Sequence, residues 1–159
     1  MNSILLNDWN NAFSSKNSAL ARRFSDEFSR VFHLAKEEDR GFTKINSIVD
    51  ENFNMLVWED YDNRVDVIKL TLNEPILPNS QYKITFNYSV KIPNEKFTKY
   101  GFDTNGKLYL KDWFLTVPRY ENKQFIVQSN ENLDDISNAI SDYKVDIEFP
   151  KNYEVFSDL

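Results

Sequence analysis

The segment from Tyr82 to Pro93 constrains the fold most, because apolar and polar residues alternate along it without interruption. A period of two predicts a β-strand with one buried and one solvated face, as in an antiparallel sheet. Pro93 cannot donate a ladder hydrogen bond and is predicted to end the strand. The residues of the predicted buried face are Ile84, Phe86, Tyr88, Val90 and Ile92.

Shorter runs predict further strands on both sides of this segment. They cover residues 4–6, 45–49, 55–59, 65–72, 113–117, 125–127 and 145–149. Asn105-Gly106 is the strongest short hairpin signal. The apolar parity changes between Val67 and Ile68, which predicts either a bulge or a strand covered on both faces. A short surface helix and an ordered loop fit residues 129–142 equally well.

One stretch, about 18–38, has the period of an amphipathic α-helix. Asn17 or Ser18 can cap its start, and Gly41 lies just past its end. We therefore expect a single helix that lies on an apolar surface. Its apolar stripe consists of Leu20, Phe24, Phe28, Val31, Phe32 and Ala35.

The whole chain, residues 1–159, is predicted to be a single domain, because it shows no repeat, linker or low-complexity tract. Aromatic residues make up 15% of it, enough to build a substantial core. The predicted fold is mainly β, with antiparallel sheets in a sandwich or open arrangement and one helix. Since the last predicted strand runs almost to the terminus, we expect the domain to be truncated and the polypeptide to continue.

The residues available for catalysis are few. There is no Cys, three Gly and a single histidine, His33, whereas catalytic zinc sites normally take three protein ligands. His-Glu-x-x-His and Gly-rich phosphate loops are absent. No catalytic, metal or cofactor site is therefore predicted in this chain. Net charge is −6 with both signs interspersed, which argues against nucleic acid, and no apolar run is long enough to span a membrane.

Two groups of side chains remain as candidates for binding. Glu59, Asp60 and Asp62 could coordinate calcium with Asn63, although a solvated hairpin turn explains them more simply. Five aromatic residues near strand ends or turns could form a ligand platform, pack in the core, or contact a neighbouring domain. They are Trp58, Tyr61, Trp113, Phe114 and Tyr120.

Taken in order, several segments resemble the N-terminal β-domain of the aminopeptidase-N family of zinc metallopeptidases, especially a bacterial branch. A leucine-rich strand runs into an Asn-Ala-Phe element, and a Pro-bounded turn precedes the long alternating strand. An aromatic-glycine pair, a Tyr-x-Leu-x-x-Trp segment and an Asp-Tyr-x-Val-x-Ile-x-x-Pro-x-Asn-Tyr segment follow. These segments are Leu5–Phe13, Leu72–Asn79, Tyr100–Phe102, Tyr109–Trp113 and Asp142–Tyr153. Where that branch often has Trp-Tyr-Pro-x-Pro, this chain has Trp113-Phe114-Leu115-Thr116-Val117-Pro118.

The resemblance implies a curved, saddle-like β-domain that is truncated at both ends here, because the family's opening strands are also missing. It would pack beside a catalytic domain absent from this chain. That domain of the same polypeptide would carry the zinc and act on peptide substrates, in the cell envelope, periplasm or cytoplasm of a bacterium. No catalytic residue transfers onto this chain, whose work would be to shape the substrate cleft. Two other hypotheses stay open: an independent carbohydrate- or protein-binding β-sandwich module, and a stand-alone hydrolase that uses Glu59, Asp60 or Asp62.

Overall fold

The fold was analysed on a computed structural model, which describes residues 1–127 and 137–156. Strands make up 31% of the residues and helices 14%, and the strands form several antiparallel sheets. The predicted mainly β class is therefore confirmed. The strands of the described residues are β1 (Ser3–Asn7), β2 (Phe42–Asp50), β3 (Val57–Tyr61), β4 (Arg64–Thr71), β5 (Ile84–Lys91), β6 (Gly101–Phe102), β7 (Leu108–Tyr109), β8 (Tyr120–Glu121) and β9 (Gln124–Phe125).

Strands β1, β4 and β3 form a three-stranded antiparallel sheet with β4 in the centre. The register of β4 against β1 is continuous, and Val67, Ile68 and Leu70 are all buried. Both predicted causes of the parity change in β4 are present: its residues are buried on both faces, and its register against β3 shifts between the Asp60–Ile68 and Tyr61–Arg64 pairs. Asp62 and Asn63 join β3 to β4, both with positive φ, as a two-residue type I′ hairpin requires.

Strands β2 and β5 form a second antiparallel sheet, with a bulge between Ile45 and Ser47. A hydrophobic core between the two sheets takes residues from both of them, and each fully buried aliphatic side chain contributes about 1.5–3 kcal/mol. This arrangement confirms the predicted packing of antiparallel sheets. The buried members of this core are Ile48, Leu56, Leu70 and Leu72, and partly buried residues around them include Ile4, Trp58, Ile84 and Phe86.

A second core lies around a 3₁₀ helix, Trp9–Phe13, that directly follows β1. The Phe13 ring is fully buried and lies 6.2 Å from the ring of Phe32 and 5.9 Å from that of Phe97. Asn10 is buried in the same 3₁₀ helix. Its amide donates to the Lys91 carbonyl at 3.2 Å, and its Oδ1 accepts from the Tyr100 hydroxyl at 3.0 Å. The Asn10 side chain therefore ties the end of β5 to this core.

The predicted single helix over 18–38 is wrong in its continuity. It begins as expected, with the Ser18 hydroxyl accepting from Ala21 N–H, but α1 (Ala19–Asp26) ends before α2 (Val31–Leu34) and a 3₁₀ turn at Glu37–Asp39. The break is a Schellman motif, in which the Ser29 N–H donates to the Phe24 carbonyl and the Phe28 N–H to the Ser25 carbonyl. Phe28 takes the left-handed position, with φ of 59°, and its side chain is 96% exposed.

Replacing Phe28 with glycine is expected to stabilise the fold by about 0.5–1 kcal/mol. A left-handed conformation costs an L-residue about 1–2 kcal/mol, and the flexibility of glycine in the unfolded chain offsets part of that gain. Because the ring is exposed, little packing is lost. Urea denaturation provides the measurement, and Phe28→Ala is the control because it removes the ring without relieving the backbone. Equal stability of the two variants would contradict the expectation.

The C-terminal third is less regular than its pattern predicts. Asn105-Gly106 does lie in the β6–β7 hairpin, with Gly106 at φ of 81°, but the connection runs over residues 103–107. Residues 113–117 form no strand, only an isolated bridge between Thr116 and Asn7. Residues 145–149 also form no strand. The two alternatives for residues 129–142, a short surface helix or an ordered loop, lie mostly outside the described residues. Residues 137–142 contain one isolated bridge, from Asn138 to Pro118, and no helix.

No helix within residues 1–127 and 137–156 has the length and apolar character needed to span a membrane.

Candidate functional site

The structure separates the five predicted aromatic residues. Trp58 lies on β3 and is packed against the core between the sheets, and Tyr61 lies at the hairpin end of the same strand. Trp113 is packed against the core around the 3₁₀ helix. Tyr120 lies in the β8–β9 hairpin, with its ring 4.9 Å from that of Phe125. The five side chains therefore occupy three separate elements and do not lie along one strand.

Trp113 and Phe114 do contact each other, and they extend a row of rings toward the C-terminal segment. The two rings meet edge to face at a centroid distance of 5.5 Å. Phe114 in turn meets Tyr143 edge to face, also at 5.5 Å. This row is a contact between the folded body and residues 142–156, which have no strand or helix of their own.

The carboxylates of the β3–β4 hairpin line an open depression of about 410 Å³ with Tyr61 and Lys69. Lys69 Nζ lies 3.0 Å from Glu59 Oε1, so this carboxylate is already paired. Among the described residues, no group of three or more His, Asp or Glu side chains is arranged to hold a metal ion. In the structure the hairpin is an exposed turn with one of its carboxylates paired to Lys69, and the calcium alternative stays a prediction.

His33 contacts a serine on the outer surface of the helical region. Ser25 Oγ lies 3.0 Å from the Ala21 carbonyl oxygen, and its distance to His33 Nε2 is 2.9 Å. The Ser25 hydroxyl can donate either to the Ala21 carbonyl or to His33, and both side chains are exposed. The pair therefore forms a surface hydrogen bond.

A second cavity, of about 160 Å³, lies at one end of the sandwich beneath β2. We call it the acidic cavity; its walls include Asp8, Thr43, Ile45, Trp58, Asp60 and Ile68. The strand register explains why carboxylates collect there. Asp60 pairs with Ile68, so these two side chains share a face of the three-stranded sheet.

Asp8 and Asp66 extend the β1–β4 ladder by one step on that same face. The β1 register pairs Leu6 with Ile68, and the Asp8 N–H donates to the Asp66 carbonyl at 2.9 Å. Directly opposed residues in an antiparallel pair have Cβ atoms about 5 Å apart. Both side chains are buried, with 3% of each residue exposed. Asp8, Asp60 and Asp66 are thus gathered at one end of one sheet face.

The protein stabilises these carboxylates only in part. Asp8 Oδ1 accepts from the Thr43 hydroxyl at 2.6 Å and from the Asn11 N–H at 3.3 Å. Asp66 Oδ1 lies 3.5 Å from Arg64 Nε, but its Oδ2 is buried without a hydrogen-bond partner among the described residues. Burial, together with smaller effects of the Asp66 and Asp60 charges, raises the pKa of Asp8 to about 6 despite its two hydrogen bonds.

Most of the acidic cavity was missed by the sequence analysis, which singled out only Trp58 and Asp60. Two local signals point to the buried acids of this sheet face, Asp8 in the cavity wall and Asp66 opposite it in the ladder. Asp66 interrupts the apolar run of β4, and Asp8 directly follows the last residue of β1. An acid inside a buried strand needs a partner or a function. Asp8 and Asp66 face each other because of the pairing register of β1 with β4, and a single sequence does not reveal which residues pair across distant strands.

No family model matches the chain, and no curated protein or solved structure matches it significantly.

Proposed function

We propose that this chain is a non-catalytic β-domain whose C-terminal segment packs against another protein surface. The surface expected from the resemblance is the catalytic domain of a zinc aminopeptidase-like parent polypeptide, where the β-domain would help to shape the peptide cleft. The zinc and the residues that act on peptides would belong to that other domain. The observation that carries the proposal is a strip of exposed apolar side chains.

The strip runs through residues 143–156, and we call it the C-terminal apolar strip. Its members are 41–90% exposed: Tyr143, Val145, Ile147, Phe149, Tyr153, Val155 and Phe156. Single exposed apolar residues are ordinary, but so many within one short segment indicate an interaction site. At roughly 25 cal/mol per Å² of buried apolar area, covering them with a partner would be favourable.

The composition of the strip indicates how it would bind. Val145, Ile147 and Phe149 alternate with Lys144, Asp146 and Glu148, the pattern of a strand with one apolar face. A strand needs a neighbour to accept and donate its ladder hydrogen bonds, and residues 144–149 have no ladder here. A sheet edge or groove on a partner would supply both the ladder and the apolar cover.

The aromatic residues favour this proposal over a carbohydrate-binding module. Trp58 and Trp113 are each partly buried against a different core, so they do not lie side by side as one platform for stacking on a sugar. Phe114 contacts Tyr143 at the start of the strip instead. We therefore assign Trp113 and Phe114 to the support of the C-terminal segment.

Replacing Ile147 with aspartate is expected to leave the isolated chain's free energy of unfolding within about 0.5 kcal/mol of the original, because this side chain is exposed. In the polypeptide encoded by the full reading frame, the same change should separate the β-domain from its neighbour. Scanning calorimetry would then show two unfolding transitions where the original shows one.

Ser141→Asp is the matched control, since it adds the same charge at an exposed polar position nearby. Two unfolding transitions in the original polypeptide, or no difference between the two variants, would contradict the docking role. The peptidase assignment is tested separately, by the reading frame itself and by zinc analysis of its product. A frame without His-Glu-x-x-His would remove the active-peptidase parent and leave the docking role intact.

A further inference from the structure

We propose that Asn105 is a site of spontaneous modification, at which the backbone nitrogen of Gly106 displaces the side-chain amide as ammonia and water then leaves aspartate or isoaspartate. This inference goes beyond the proposed docking role and does not rest on it. It stands on the geometry of the connection between β6 and β7, residues 103–107, where Asn105 and Gly106 are both exposed.

The reaction balances with water as the only co-reactant. The Gly106 amide nitrogen loses its proton and attacks Asn105 Cγ, so an N–Cγ bond forms and the Cγ–Nδ2 bond breaks. Nδ2 takes up a proton and leaves as ammonia, and the product is a five-membered succinimide ring. Water opens the ring at either carbonyl, which gives aspartate in one case and isoaspartate in the other. Asparagine counts among the thermolabile residues of proteins.

Gly106 removes the steric obstacle to this attack. A side chain on the residue after asparagine crowds the attacking nitrogen and restricts the backbone, whereas glycine does neither. Gly106 takes φ of 81°, and a Cβ built on it would meet no heavy atom of the described residues within 4 Å, its chain neighbours apart. The space around the reacting backbone is therefore open, and water can reach it.

The hydrogen bonds around the reacting atoms are long. The Gly106 N–H donates to the Asp103 carbonyl at 3.2 Å, and Asn105 Nδ2 lies 3.4 Å from Asp103 Oδ2. These distances lie at and beyond the upper end of the usual range for N–H···O bonds, about 2.7–3.2 Å. The leaving nitrogen is thus weakly held, and local opening of an exposed connection costs little free energy. Nucleophile and leaving group are both available in the folded chain.

The modification would also disturb the contacts that shape this connection. Asp103 Oδ1 accepts from the backbone N–H groups of Asn105 and Lys107, each at 2.8 Å. A carboxylate at position 105 adds one negative charge to the net −6 and repels Asp103. Isoaspartate also adds a carbon to the backbone, which changes the spacing of the two N–H groups. We expect the disturbance to stay local, because the Phe102 N–H is held by the Pro93 carbonyl at 2.9 Å.

The chain carries its own matched comparison at Asn79. That asparagine is also exposed, and the N–H of the next residue, Ser80, donates to the Leu77 carbonyl at 3.2 Å, the same distance as for Gly106. We incubate the intact chain at pH 7.4 and 37 °C and follow both positions by peptide mass spectrometry. Conversion of the amide to the acid should be at least about tenfold faster at Asn105, since only Asn105 is followed by glycine.

Ser80→Gly tests the cause, because it places glycine after Asn79 at an exposed position. This variant should bring the rate at Asn79 close to that at Asn105 and leave the rate at Asn105 unchanged. Isoaspartate should be found beside aspartate at position 105. Equal rates at Asn105 and Asn79 in the original chain, an unchanged rate at Asn79 in Ser80→Gly, or aspartate without isoaspartate would overturn the proposal.

Discussion

Replacing Phe13 with alanine is expected to lower the free energy of unfolding by about 3–5 kcal/mol, the range for removing a fully buried aromatic ring. Phe13 has no exposed surface. Its ring lies at centroid distances of 5.2 Å from Trp9 and 5.6 Å from Tyr100, in addition to its contacts with Phe32 and Phe97. The substitution would leave a cavity at the centre of four aromatic side chains.

Urea denaturation followed by circular dichroism measures this loss. Phe53→Ala is the matched control, because the same ring is removed where it is 83% exposed, and its effect should stay within about 0.5 kcal/mol. Since domains of this size are stable by only about 5–15 kcal/mol, the Phe13 variant should sit close to its unfolding transition at room temperature. A loss below about 1 kcal/mol would show that the core around the 3₁₀ helix is not packed as described.

Replacing Asp8 with asparagine is expected to stabilise the protein at pH 7 by up to about 3 kcal/mol. The pKa of Asp8 rises from an ordinary value of 3.8 to about 6 in the folded chain, and each pH unit of difference corresponds to about 1.4 kcal/mol. Asparagine keeps the acceptor used by Thr43 and loses the charge that opposes Asp66 and Asp60. Its amide also supplies donors that a carboxylate lacks.

The sign of the pH dependence follows from the same pKa. Between about pH 4 and pH 6 the folded state binds more protons at Asp8 than the unfolded state does, so stability falls as the pH rises through that window. Besides Asp60 and Asp66, the ionisable groups concerned are Arg64, which pairs with Asp66, and Tyr88 and Tyr100, whose pKa values Asp8 helps to raise. Tyr88 and Tyr100, whose pKa values are raised above 10, do not change charge in that window.

Other carboxyl groups act in the opposite direction at lower pH. Hydrogen bonds from Lys96, Asn73 and the Lys107 backbone, respectively, are the main causes that lower the pKa values of Asp39, Asp50 and Asp103. Their stabilising contribution is lost as the pH falls below about 4. The original protein should therefore be most stable near pH 4–5.

Denaturation midpoints at pH 4, 5, 6 and 7 measure this dependence. Asp8→Asn should show a nearly flat profile between pH 4 and 7, whereas Glu51→Gln, which removes an exposed carboxylate, should keep the original slope. If the original protein gains stability from pH 4 to pH 6, the description of Asp8 as a buried and poorly compensated acid is wrong.

Much of the sheet structure could be predicted from alternation alone. Strands β2, β4 and β5 lie where the pattern places them, because one or both of their faces are buried in the core between the sheets. The same alternation at residues 145–149 predicts a strand that is not formed. Alternation reports which side chains share a face, but a strand also needs a neighbouring backbone, and that is a property of the tertiary arrangement.

The interruption of the predicted helix has a different cause. Glycine is the usual residue at the left-handed position of a Schellman motif, and Phe28 occupies it here. Nothing local distinguishes Phe28 from Phe24 or Phe32 in the apolar stripe. The break changes the direction of the chain, and Phe32 in α2 packs into the core against Phe13 and Phe97. The acidic cavity likewise depends on which residues meet across β1, β3 and β4.

The position of the 3₁₀ helix directly after β1 also constrains how this chain can be made. β1 needs β4, and Phe13 needs Phe97 and Tyr100, so residues 3–13 are synthesised well before the partners that bury them. Until those arrive, Leu5, Trp9 and Phe13 stay in water on a nascent chain, where exposed apolar residues invite aggregation. Co-translational holding by a chaperone would matter most for residues 3–13, until β4 and residues 97–100 have been synthesised.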